Sequence, residues 1–250
     1  MFWRKARPTA GTDTIEWMLE TWEWLDGILL PVDAEPPRQF IYPSRKLFPD
    51  TDKCGHARAE HYFALVQEYA GLQDLPVTLR AQAPVPDIAL GWAKLETGTT
   101  ALGTFQVRGN TAVITYDPGI TSNPVQFIAT MAHELAHYAL AYAKDAPPGG
   151  EELMELATDL ATVHMGFGLF GANTAFNFEQ RTDYDRQGWQ SSRSGYLGEG
   201  GWCFACALFA EIVGAAIEPA YTKASVAAQI AKNRAYLSAH PEIVRNMRSG

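Results

Sequence analysis

The chain has 250 residues, enough for a sizeable core without disulfide staples. Hydrophobic residues make up 47%, and 28 acidic against 20 basic side chains leave a formal net charge of −8. That balance speaks against general nucleic-acid binding, which needs a basic footprint, and leaves a peptide or protein substrate of either sign open.

Three cysteines, an odd count, do not suit a secreted disulfide framework, so a reducing cytoplasm is expected. The segment Met1–Pro8 is basic but no apolar run of signal-peptide length follows it. The most apolar stretch, Trp202 to Ile217, is interrupted by Glu211 and is shorter than a membrane span. It reads as a buried core helix, and no membrane partner is expected.

In chain order, Thr12 to about Leu30 reads as a helix carrying Trp17, Trp22 and Trp24, a density that marks packing onto a large surface. Gripping a partner is the alternative use. A proline-rich connector from Pro31 to Pro49 should run extended over the surface, so residues 1–50 read as an arm on a domain of residues 51–250. Its position also suggests an arm that covers the cleft. Asp52 to Tyr69 reads as a helix ending at Gly71, with Phe63, Val66 and Tyr69 facing inward.

Short strands follow: Val77–Ala81, Ile88–Trp92, Ala101–Val107 and Thr111–Tyr116, the last two joined at Arg108-Gly109-Asn110 by a tight hairpin turn. Asn123 then Pro124 is a helix start, an N-cap side chain followed by proline at the first helical position. That helix should reach Ala143 and stop before Pro147-Pro148-Gly149-Gly150. A second long helix begins near Glu151 and frays around Gly166, Gly168 and Gly171. Asn173 to Ser194 reads as an irregular loop, and helices near Tyr196–Val213 and Lys223–Ser238 precede a short last turn. The fold class is α+β: a small β-sheet, two active-site helices and a helical C-terminal half.

The chemistry concentrates in His133-Glu134-Leu135-Ala136-His137. A spacing of four puts both imidazoles on one helix face, one turn apart, at a separation suited to two tetrahedral positions on Zn²⁺. Glu134 lies about 100° round the helix, near enough to reach a metal-coordinated water without being a ligand. The next helix offers a third ligand. In Glu155-Leu156-Ala157-Thr158-Asp159 the two acids share a face, about 40° apart, and 17 residues separate His137 from Glu155. Glu155 can complete the metal triad, and Asp159 can accept a hydrogen bond from the other ring nitrogen of a ligating histidine.

The H-E-x-x-H helix, the hairpin before it and the following E-x-x-x-D resemble the gluzincin branch of zincin metallopeptidases, over roughly Val77 to Gly171. The resemblance implies His133, His137 and Glu155 as zinc ligands, Glu134 as general base and Asp159 as support. It also implies that strand Thr111–Tyr116 lies antiparallel to bound peptide. Gly188-Trp189 and Arg193 to Leu197 are similar to uncharacterised bacterial zincin-like proteins. No third histidine follows closely after His137, so the extended metzincin pattern is absent.

The ligand set implies one Zn²⁺ per chain with a fourth position for water, and hydrolysis of a peptide or protein amide. Tyr196, Arg193 and His164 are candidate oxyanion donors, with Tyr196 preferred. His164 lies about 180° from Glu155 on an ideal helix and should point away from the metal.

Blander readings stand beside these. The H-E-x-x-H pattern can arise by chance on an amphipathic helix, and Glu151, Glu152, Glu155 and Asp159 can be a solvated acidic face. Cys203 and Cys206, with Cys54 and His56, could make a second zinc site, but an apolar helix suits cysteines acting as small hydrophobes. The alternative function is a zincin fold used for regulation or binding, with a mainly structural zinc and little hydrolysis.

Overall fold

The computed structural model describes residues 7–29, 38–83, 89–90, 93–94, 102–108, 111–174 and 197–248. Tyr196 and Arg193, with the loop before them, lie outside the described residues. The chain is mixed α+β and divides into two compact units, Asp50–Tyr138 and a second formed by Met1–Pro49 with Ala139–Gly250.

The first unit opens with α2 (Gly55–Tyr69), which buries Ala59, Tyr62, Phe63 and Val66 at helical spacing. Tyr69, expected inward, is half-buried. Three strands form a sheet in the order β1-β5-β4. β1 (Val77–Ala81) runs parallel to β5 (Thr111–Tyr116), and β4 (Gly103–Arg108) pairs antiparallel with β5 from Gly103 opposite Tyr116 to Arg108 opposite Thr111. Of the expected strand Ile88–Trp92, residues 89–90 are described and form β2 (Ala89–Leu90), which pairs antiparallel with β3 (Ala93–Lys94); the rest lies outside the described residues.

Along β5 the even positions Ala112, Ile114 and Tyr116 are sealed, at 0%, 0% and 1% exposure, as period-2 geometry requires of a strand laid on a core. Tyr116 meets Phe127 edge-on, with ring centroids 5.5 Å apart. Phe127 belongs to α3 (Pro124–Leu140). Asn123 caps that helix as its sequence foretells, its Oδ1 accepting from the Gln126 N–H at 3.3 Å. The helix stops at Leu140, short of the expected Ala143, whose N–H instead closes a turn on the Leu140 carbonyl.

One expectation is overturned. β5 lies in the middle of the sheet, so Thr111–Tyr116 cannot also pair with a peptide. The Asp117 N–H bonds the Leu102 carbonyl at 3.0 Å on one side, and the Tyr116 carbonyl accepts from the Gln82 N–H at 2.8 Å on the other. In that antiparallel register the N–H and C=O of Gly103 and Phe105 face away from β5. Among the described residues, no strand pairs with that edge of β4.

In the second unit, α1 (Thr12–Leu29) buries Ile15, Met18, Trp22 and Leu25, a stripe at helical spacing. Trp22 is fully buried, tilted against His164 and Phe209. Segment 38–48 was expected to cross the surface. Instead Phe40, Ile41 and Phe48 are core residues, at 4%, 3% and 6% exposure. The Ile41 N–H bonds the carbonyl of Gly166, whose φ is +94° and where a Cβ would stand 2.3 Å from the Gln39 carbonyl oxygen. Glycine is required there on both counts, and it ends α4 (Met154–His164).

A short helix follows over 168–174 (α5), then α6 (Glu199–Val213), buried without interruption from Gly201 to Ala210. α7 (Ala224–Ala239) and α8 (Pro241–Met247) pack on it and on each other. Asn233 on α7 is wholly buried and holds the Thr9 N–H at 2.9 Å. No helix among the described residues is long and apolar enough to cross a membrane.

A charged network lies in this core. His164 Nε2 stands 2.7 Å from Asp26 Oδ1 and 2.8 Å from Arg38 Nη1. One ring nitrogen carries either a proton or a lone pair, so at any moment it either donates to Asp26 or accepts from Arg38. Burial holds the His164 pKa below its ordinary value; the bond to Asp26 opposes this and the charge of Arg38 adds to it. Below about pH 6.5 the unfolded chain takes up a proton that folded His164 refuses, so stability falls as pH drops from there towards the folded pKa.

Two outcomes follow. Trp22→Ala should lower stability by about 3–5 kcal/mol in urea unfolding, the cost of emptying a buried indole site. His164→Gln keeps a donor for Asp26 but cannot titrate, so its unfolding midpoint should vary less between about pH 7 and pH 5 than that of the native chain. Equal slopes for the two proteins would show that His164 does not set this dependence.

Candidate metal centre

α3 carries the two histidines. His133 and His137 are both half-buried, with ring planes at 82° and centroids 4.8 Å apart. Their Nε2 atoms face each other at 3.1 Å. Two nitrogens bound to one tetrahedral zinc at about 2.0–2.1 Å stand about 3.3 Å apart, so the pair is already spaced for a shared ion. The ring of Phe105 on β4 lies parallel to that of His137, at 6° and 6.4 Å between centroids.

Glu134 points round the helix from the histidines and is only 6% exposed. Its carboxylate lies against β4 at Gly103, where a Cβ would stand 2.7 Å from Oε1. A carboxylate this buried is costly unless a cation or a proton balances it.

Glu155 and Asp159 lie on α4, which Gly149 and Gly150, both at positive φ, introduce through a 3-10 turn at Glu151–Leu153. Glu155 sits in the first turn, where the helix dipole favours an acid. His133, His137 and Glu155 each offer one ligand atom, and these atoms lie within 4.8 Å of one another. Two neutral nitrogens and one carboxylate oxygen are a donor set that zinc accepts, so the fit is sound in kind, and the histidine pair also matches it in spacing.

Asp159 is buried, and its Oδ2 accepts the Leu197 N–H at 2.8 Å. A carboxylate has about four acceptor sites, so this bond does not use up its capacity to hold a histidine. The preferred oxyanion donor, Tyr196, and its alternative Arg193 are outside the described residues. His164 is engaged with Asp26 and Arg38 in the core, as its place on the helix suggested.

The cysteines divide. Cys54 is exposed at the start of α2, whereas Cys203 and Cys206 are sealed in α6. Burial pushes the Cys203 thiol up to about 12 and Cys206 well above the ordinary thiol value. A metal takes the thiolate, so this environment suits small hydrophobes better than ligands. Among the described residues, no group of three close ligand atoms includes a cysteine.

Sequence reasoning missed the part played by β4. A glycine inside a strand pattern is a signal of close approach by another group, and Gly103 carries that signal. Compared with known proteins, the chain matches no protein-family model, and no curated protein or solved structure is significantly similar to it.

Metal analysis by mass spectrometry should find about one zinc per chain after incubation with the ion, and His137→Ala should lose it. A second zinc that survives the substitution would return the cysteines to consideration; no zinc in the native chain would remove the site.

Proposed function

We propose that the protein is a zinc-dependent hydrolase of peptide or protein amides, with zinc held by His133, His137 and Glu155. The observation that carries this reading is the pair of Nε2 atoms facing each other at 3.1 Å on α3, with Glu155 contributing to the same ligand group. When bound, zinc would supply a Lewis acid for the scissile carbonyl and lower the pKa of water towards neutrality.

The chain's own groups supply the rest. Glu134 is the general base: a carboxylate oxygen takes a proton from the attacking water, holds it, and delivers it to the leaving nitrogen. The water's oxygen and its remaining proton end on the new carboxyl group, and the nitrogen leaves as a neutral amine carrying the proton Glu134 delivered, so the proton count balances. Asp159 accepts a hydrogen bond from the other ring nitrogen of a ligating histidine, which fixes its tautomer. An extended peptide would run along β4 rather than β5, because the backbone groups of Gly103 and Phe105 face outward from the sheet.

Glu134 argues for catalysis over the alternative, a zincin fold kept for regulation or binding around a mainly structural zinc. An ion held only for structure gains nothing from a buried acid next to its ligand in the helix, and structural sites close all four positions with protein.

Glu134→Gln should retain zinc and lose about 10²–10⁴-fold in hydrolysis of fluorogenic peptides, the usual contribution of a positioned base. Undiminished turnover by this variant would sink the mechanism. A native chain that binds zinc and leaves a broad peptide library intact would favour the regulatory reading.

A further inference from the structure

We propose that Gly103 is a positioning residue for Glu134: β4 omits a side chain at this one point so that the base can lay its carboxylate against the strand. The inference rests on the role given to Glu134 above. A Cβ at position 103 would stand 2.7 Å from Glu134 Oε1, 2.9 Å from Glu134 Cγ and 2.8 Å from Thr130 Cγ2. All three separations are closer than real Cβ contacts, so one of the neighbours must move.

The backbone does not ask for glycine. Gly103 is absent from the positive-φ residues and sits in a regular strand, where glycine weakens pairing and packs nothing. What the position needs is space. Nor can the surroundings readily yield it. The strand is fixed by its register on β5, with Leu102 bonded to Asp117 and Gly103 opposite Tyr116. Thr130 is tied to its own helix by an Oγ1 bond to the Gln126 carbonyl at 3.0 Å, which sets its rotamer and hence the place of Cγ2. The mobile partner is the end of the Glu134 side chain. A methyl group at 103 therefore displaces the carboxylate, the far end of a flexible side chain, while Thr130 gives only the few tenths of an ångström its Cγ2 contact needs and the helix stays in place.

Position 105, on the same face of β4, carries the ring that backs His137. One strand face thus sets both the base and a ligand, by an omitted side chain at one position and a flat one two residues on.

The test uses the full chain loaded with cobalt(II), whose visible bands report the surroundings of the metal at a fixed pH. Four proteins are compared: native, Gly103→Ala, Glu134→Gln and the double variant. The expected result is about one cobalt per chain in all four, altered bands in Glu134→Gln, and bands in Gly103→Ala shifted in the same direction. The double variant should show no change beyond Glu134→Gln alone, because position 103 acts through the carboxylate. Native bands in Gly103→Ala, or changes that simply add in the double variant, would overturn the inference and leave the proposed function standing. No cobalt uptake by the native chain, or no effect of Glu134→Gln, would overturn the proposed function and this inference with it.

If Gly103→Ala fails to fold, the same substitution is made in a Thr130→Ser, Glu134→Ala background, which removes the atoms it would meet. Recovery of a cooperative unfolding transition supports the contact. Continued failure overturns the inference, since the glycine would then serve the strand and not the base.

Discussion

Two imidazole nitrogens 3.1 Å apart on one helix present their polar edges to each other, an arrangement that is stable only when a proton or a cation stands between them. The helix has no freedom to relieve this by turning. Met131, Ala132, Leu135 and Ala136, on its other sides, are sealed at 0% exposure, and the Asn123 cap with Pro124 fixes where its first turn begins. Phe105 lies parallel to the His137 ring on one side. The fold thus uses packing to hold together a pair of side chains that would separate in a peptide, which is what a preorganised ligand site requires.

The buried carboxylate of Glu134 belongs to the same electrostatic problem. Removing an acid from water is unfavourable by several kcal/mol unless opposite charge lies nearby. An ion at the histidines would supply that charge and give the acid a reason to stay ionised in a dry place.

Much of this was legible in the residues themselves. The H-E-x-x-H spacing, the Asn-Pro helix start and the alternation in Thr111–Tyr116 are local signals, set by helix and strand geometry within a few residues, and each appears in the structure where its pattern places it. Strand order is different in kind. Nothing in the hairpin reveals that Val77–Ala81 would join it on the far side of Thr111–Tyr116, which turns the expected edge into the centre of the sheet. Prolines likewise misdirected the reading of the segment that follows α1. Proline limits backbone conformation but does not decide whether Phe40, Ile41 and Phe48 find a core, and they do. Asp26, Arg38 and His164 were beyond reach because they are far apart in sequence and each is an ordinary surface residue type until folding brings them together.

The grouping of residues 1–49 with 139–250 has a consequence for how the protein comes into being. Trp22 leaves the ribosome well before Phe209, one of the rings it packs against, which is made 187 positions later. At a synthesis rate of about 5–20 residues per second, the tryptophan-rich helix waits on the order of 10–40 s for that partner. During that interval Ile15, Met18, Trp22 and Leu25 form an apolar face with no core to enter. The intervening stretch of Asp50–Tyr138, a compact unit of its own, emerges first and in full. The nascent chain is thus more exposed to aggregation, and more attractive to chaperones, along α1 than along Asp50–Tyr138.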